Sequence, residues 1–126
     1  MTGNGSRGRR HHPETCLEDM LDAVLAILEY TVGMNETGFR QDGKTCDAVL
    51  RRLEVLGEAA GRLMRAGVEP NSPAAALPLR EIYDMRNALI HGYDGVDLGV
   101  VWQTVQRDIP GLRQDLERTL ASMGHG

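Results

Sequence analysis

Apolar residues recur at spacings of three and four along most of this chain, the period of an amphipathic helix. Leu17, Met20, Leu21, Val24, Ile27 and Leu28 predict a first helix over about residues 13–31, opened by Pro13 and Glu14 and stopped by Gly33. Residues 33–43 read as a connection with a short turn around 36–39, from which Phe39 tucks onto the core. Cys46, Val49, Leu50, Leu53, Leu56, Ala60, Leu63 and Met64 predict a second helix from Gly43 or Lys44 to Ala66, with Asp42 as its N-cap. Gly57 and Gly61 sit four apart inside it. Each costs roughly 1 kcal/mol of helix propensity relative to Ala, a cost that makes sense where a second backbone packs closely. Glu58 and Arg62 have the spacing of a surface ion pair on the same helix.

Pro70, Pro73 and Pro78 make residues 67–78 a loop. A third helix starts near Pro78 or Leu79 and carries Ile82, Met85, Leu89 and Ile90 to a stop at His91-Gly92. After a turn at residues 93–95, Asp97 caps a fourth helix lined by Val100, Val101, Val105, Ile109, Leu112, Leu116 and Leu120, with a kink or break expected at Pro110. Trp102 is expected to anchor packing. No strand alternation and no internal repeat interrupt this pattern. The expected fold is all-α, an antiparallel four-helix bundle over residues 13–122. Residues 1–12, rich in Gly, Arg and His, read as a disordered N-terminal arm. His11-His12 is a weak metal signal there, and a solvated tail is the expected state.

Composition narrows the picture. At 126 residues, with one Trp, one Phe and three Tyr, the core must be aliphatic and modest in size. Such a bundle is expected to complete its core by dimerising. A net charge of -4 leaves little non-specific grip on nucleic acid, so any such contact needs a local basic patch. Cys16 and Cys46 form no close-spaced motif and read as reduced thiols. With neither a secretion-signal pattern nor an apolar run of about 18 residues, the expected location is the cytoplasm, away from membranes.

The chemistry concentrates in Arg86-Asn87-Ala88-Leu89-Ile90-His91-Gly92-Tyr93, where a guanidinium, an amide, an imidazole and a phenol fall within eight residues. An Arg there can clamp phosphate, and a His can transfer protons. At about 100° per residue, Asp84, Asn87, Ala88 and His91 share one helical face, while Arg86 diverges from His91 by roughly 140°. Two copies of the stretch, related by a two-fold axis, bring such groups together better than one straight helix does. There is no Gly-rich phosphate loop, no Cys-x-x-Cys and no His-Glu-x-x-His. One imidazole among carboxylates is a poor metal site, so neither metal nor cofactor is expected. Taken singly, His91 reads as a helix-end cap, Arg86 as an ion-pair residue, Tyr93 as packing and Glu58 as half of its surface pair. The spacing of the first three is what raises a functional reading.

That spacing resembles the R-x4-H-x-Y signature of HepT-like proteins in the HEPN superfamily, with Arg86, His91 and Tyr93 on its three fixed positions and Asn87 on the polar position after the Arg. The segments 17–21, 57–60, 95–105 and 108–110 also resemble the family, and the likeness spans about residues 14–120. The Ala-rich loop at 72–77 is less typical. The resemblance implies a homodimeric, metal-independent ribonuclease with Arg and His of both chains lining a cleft. It further implies the toxin of a two-gene toxin–antitoxin system. Its partner is then an MntA-like minimal nucleotidyltransferase antitoxin, which silences it by transferring AMP from ATP to Tyr93. On this reading the substrate is RNA and no DNA binding is expected. His91 is the proton-transfer group and Arg86 the phosphate clamp. Asn87 positions a phosphate oxygen or His91, Tyr93 contacts RNA and accepts AMP, and Asp84 and Glu58 lend support. The alternative is a non-catalytic helical module whose cleft between Arg86 and Tyr93 binds a nucleotide or a protein partner.

Overall fold

The computed structural model describes residues 12–91 and 95–124, so residues 1–11 of the expected arm and the segment 92–94, with Tyr93, lie outside the described residues. Helix α1 spans Pro13–Thr31, with Pro at its first position. His12 is its N-cap: the ring Nδ1 accepts a hydrogen bond from the Glu14 N–H at 3.2 Å. Leu17, Met20, Val24 and Ile27 are fully buried. Gly33, at φ 76°, lets the chain turn back after α1.

A short helix α2, Glu36–Gln41, follows, capped by the Asn35 side chain on the Gly38 N–H at 2.8 Å. The sequence predicts only a turn here; the cap extends it into a helix. Phe39 goes into the core as expected, where its ring meets Trp102 at 5.3 Å between centroids. Helix α3, Gly43–Ala66, opens on Asp42, whose carboxylate accepts from the Thr45 N–H at 3.0 Å. Those Thr45 bonds hold the Asp42 carboxyl below its ordinary range. Cys46, on the first turn, donates to the Phe39 carbonyl at 3.0 Å, and burial pushes its thiol up, with Asp42 and Asp47 adding to the effect.

The loop at 67–78 contains one 3-10 turn, Pro73–Ala76, before α4, Leu79–Ile90. Asp97 caps α5, Leu98–Arg107, through the N–H groups of Gly99 and Val100 at 2.9 and 3.3 Å. The expected fourth helix is two helices. Pro110 has no N–H to give, and its ring excludes the carbonyl four residues back. The chain therefore breaks at Asp108 and restarts as α6, Ile109–Ser122, with Pro110 in the first turn. With α2 added and the last helix divided, the described residues form six α-helices and no strand. α3 is central, packing extensively against both α1 and α4. α6 packs on α1, and α5 joins α2 to α6. No helix among the described residues is long and apolar enough to cross a membrane.

Candidate functional site

The site is set by how closely α4 approaches α3. Leu79 and Ile82 bury one face of α4, and Met85 and Leu89 pack partly against the same core. Gly57 and Gly61 are the positions that admit it. A Cβ on Gly57 would overlap Cβ and Cγ of Arg86 and stand 3.3 Å from the Ile82 carbonyl oxygen. A Cβ on Gly61 would meet the Tyr83 ring at 2.8 Å and Arg65 Nη1 at 3.3 Å. The two glycines thus form the ridge the sequence predicts, and the residues they accommodate are Arg86 and Tyr83.

With its stem held over Gly57, the Arg86 side chain is only 25% exposed. Its Nη2 donates to Glu58 Oε2 at 3.4 Å, and its Nη1 to Asn87 Oδ1 at 3.2 Å. Its buried Nε has no partner among the described residues. The expected Glu58–Arg62 pair does not form. Glu58 turns to Arg86 on the neighbouring helix, while Arg62 reaches Asp19 on α1 at 2.9 Å. Both partners come from other helices, which the spacing within α3 does not reveal.

His91 is the C-cap of α4, and its main-chain N–H donates to the Asn87 carbonyl at 3.1 Å. Its ring Nδ1 lies 2.8 Å from the same carbonyl oxygen. A carbonyl only accepts, so this geometry assigns the ring proton to Nδ1 and leaves Nε2 as the free lone pair of the neutral imidazole. The ring is otherwise exposed. Asn87 therefore contacts both groups, Arg86 through its side-chain oxygen and His91 through its main-chain oxygen. Asp84 is drawn into an exposed pair with Arg80 at 3.8 Å, and no bond links it to Arg86 or His91 among the described residues. Tyr93 lies outside them.

Beside Arg86 is a hollow of about 240 Å³ lined by Glu58, Arg62, Arg65, Tyr83 and Arg86. Sequence reasoning singled out Glu58 and Arg86 and missed Arg65 and Tyr83. The available signal was Gly61, whose missing side chain makes room for both. Chemically, the surface offers guanidinium donors for a phosphate and, at the end of α4, an imidazole nitrogen able to take a proton.

Comparison with known proteins accords with this chemistry. The family model described as Ribonuclease HepT-like matches residues 20–119. The chain is 39% identical over 113 residues to a Thermococcus cleftensis protein named "Probable ribonuclease HepT", covering 87% of this chain and 96% of that one. It is 32% identical over 108 residues to a candidate RNase of Caldanaerobacter subterraneus subsp. tengcongensis, covering 86% of this chain and 94% of the other. A Methanocaldococcus jannaschii protein, named as both a gamma-glutamylcyclotransferase and a candidate RNase, is 35% identical over 107 residues. That match covers 85% of this chain but only 47% of the longer relative. No solved structure matches the chain significantly. On the extent of the family match, and on relatives covered almost end to end, the chain belongs to the HepT-like family of the HEPN superfamily.

Proposed function

We propose that this protein is a metal-independent endoribonuclease and the toxin of a two-gene toxin–antitoxin pair. The observation that carries the reading is the contact of Asn87 with both reactive groups: its carbonyl fixes His91 with Nε2 free, and its amide oxygen holds Arg86. In the reaction, His91 Nε2 takes the proton of a ribose 2′-hydroxyl as that oxygen attacks the adjacent phosphorus. The P–O5′ bond breaks, and the leaving 5′-oxygen receives a proton from a protonated imidazole. The products are a 2′,3′-cyclic phosphate end and a 5′-hydroxyl end. Arg86 binds the phosphate and offsets the charge that builds on its oxygens in the transition state.

The active form is a homodimer of antiparallel four-helix bundles, in which a two-fold axis brings the α4 ends of two copies together. Two features support it. Arg86 points toward α3 while His91 stands at the helix end, and Ile90 beside His91 is 43% exposed, an apolar side chain available to a second copy. The antitoxin partner is an MntA-like nucleotidyltransferase. In the silencing step the Tyr93 phenol oxygen attacks the α-phosphorus of ATP, pyrophosphate leaves and the phenol proton passes to solvent. The resulting adenylyl group adds bulk and negative charge two residues from His91.

Purified protein incubated with RNA in excess chelator tests the nuclease, with RNA fragments carrying cyclic-phosphate ends as the expected product. Intact-mass measurement of protein made with and without the partner gene tests the silencing step. The expected result is one added AMP on Tyr93 only with the partner. AMP on Tyr30 or Tyr83 would contradict the assignment, and intact RNA under all conditions would leave the binding-module alternative.

A further inference from the structure

The hollow next to Arg86 has features that one scissile-phosphate clamp does not need. Three guanidiniums and one carboxylate line it, in a protein whose net charge is -4. Glu58 is taken up by Arg86 and Arg62 by Asp19. Arg65 is exposed and makes no ion pair among the described residues. The Tyr83 hydroxyl has no hydrogen-bond partner among them either, and its ring lies close over Gly61 of α3. Arg65 Nη1 comes to the same point over Gly61 as the edge of the Tyr83 ring, so an unpaired guanidinium and a tyrosine stand together in the lining of the hollow. Gly61 lies one turn along α3 from Gly57, about 6 Å at the rise of an α-helix.

Building on the ribonuclease reading, we infer that this hollow is a second phosphate subsite, in which Arg65 and Tyr83 hold the RNA phosphodiester next to the one clamped by Arg86. Arg65 supplies the charge, and the Tyr83 hydroxyl donates to a phosphate oxygen. Arg62 stays on Asp19 and closes the far side. The subsite reads backbone rather than base, so it raises affinity for a strand of several nucleotides without choosing its sequence. A dinucleotide, which contains only the scissile phosphate, gains nothing from it.

The test uses the full chain and its Arg65→Ala and Arg65→Lys variants, with circular dichroism to check folding. Binding of a fluorescent single-stranded RNA hexamer is followed by anisotropy over a range of salt, and cleavage of hexamer and dinucleotide is measured separately. The expected result is that Arg65→Ala weakens hexamer binding about tenfold and lowers the salt slope by about 0.7, the increment for one phosphate on a single strand. Arg65→Lys restores most of both. Where cleavage occurs, KM rises for the hexamer and not for the dinucleotide, with kcat unchanged. An unchanged salt slope in folded Arg65→Ala overturns the subsite, as does an equal loss on both substrates. RNA bound but uncut by the wild-type protein refutes the nuclease, and the Arg65 slope still decides the subsite. Failure of the wild-type protein to bind the hexamer overturns the subsite.

Discussion

Gly57 shows how one residue fixes the site. Exchange to Ala in a free helix stabilises by roughly 1 kcal/mol, but here the new methyl overlaps the Arg86 stem. Gly57→Ala is expected to lower stability by about 1–3 kcal/mol through overpacking and to lose most activity as Arg86 and α4 move away. Urea denaturation alongside an activity assay checks both. Asn87 offers a finer test, because its two oxygens have different tasks. Asn87→Ala removes the bond to Arg86 and keeps the carbonyl under His91. Loss of one such hydrogen bond, about 1–1.5 kcal/mol, predicts a roughly tenfold slower reaction with an unchanged pH profile. A loss as large as that of His91→Ala would mean that the amide touches the substrate directly. At this scale the sequence was informative about the ridge and silent about partners. Two interior glycines four apart announce a close approach. Whether Glu58 turns to Arg62 on its own helix or to Arg86 on the next depends on helix packing, which periodicity does not contain.

Among the elements, caps were legible and short helices were not. Asp42 and Asp97 stand before apolar runs in the sequence and cap α3 and α5 in the structure. α2 escaped because six residues are too few for a period to show. The last helix divides where Pro110 signals it, and the nature of the break, a restart at Ile109, follows from local chain geometry. The Asp42 cap carries a pH prediction. Its folded carboxyl titrates below its ordinary value of 3.8, so the cap's contribution is complete above that value and is lost as pH falls through the folded pKa. Asn at this position still caps but does not titrate. Urea midpoints of wild type and Asp42→Asn should therefore change differently with pH only in the acid range, with the wild type falling more steeply. Parallel curves throughout would show that the carboxylate adds nothing beyond its hydrogen bond.

For the whole molecule, α3 is both the centre of the core and the floor of the site, which couples packing to function. The all-helical class was readable from the apolar period alone. The hollow was not, because Arg65 and Tyr83 belong to different helices and meet only when α4 docks. Ile90, exposed beside His91, is the most direct probe of the proposed dimer. Ile90→Asp is expected to halve the mass seen by light scattering at micromolar concentration and to abolish RNA cleavage while helicity persists. A strictly monomeric wild-type protein would sink the composite cleft.

The claim on which the rest depends is that His91 and Arg86 cleave RNA together without a metal. The direct measurement is the cleavage rate of RNA in chelator by the wild-type protein, His91→Ala and Arg86→Ala, each confirmed as folded and of wild-type size. Loss of proton transfer predicts a fall of about 10²–10⁴-fold for His91→Ala. Arg86→Ala should fall comparably, and Arg86→Lys should recover only part, since Lys lacks the two-pronged grip on phosphate. Folded His91→Ala that cuts RNA at the wild-type rate would contradict the account and leave the cleft a binding surface.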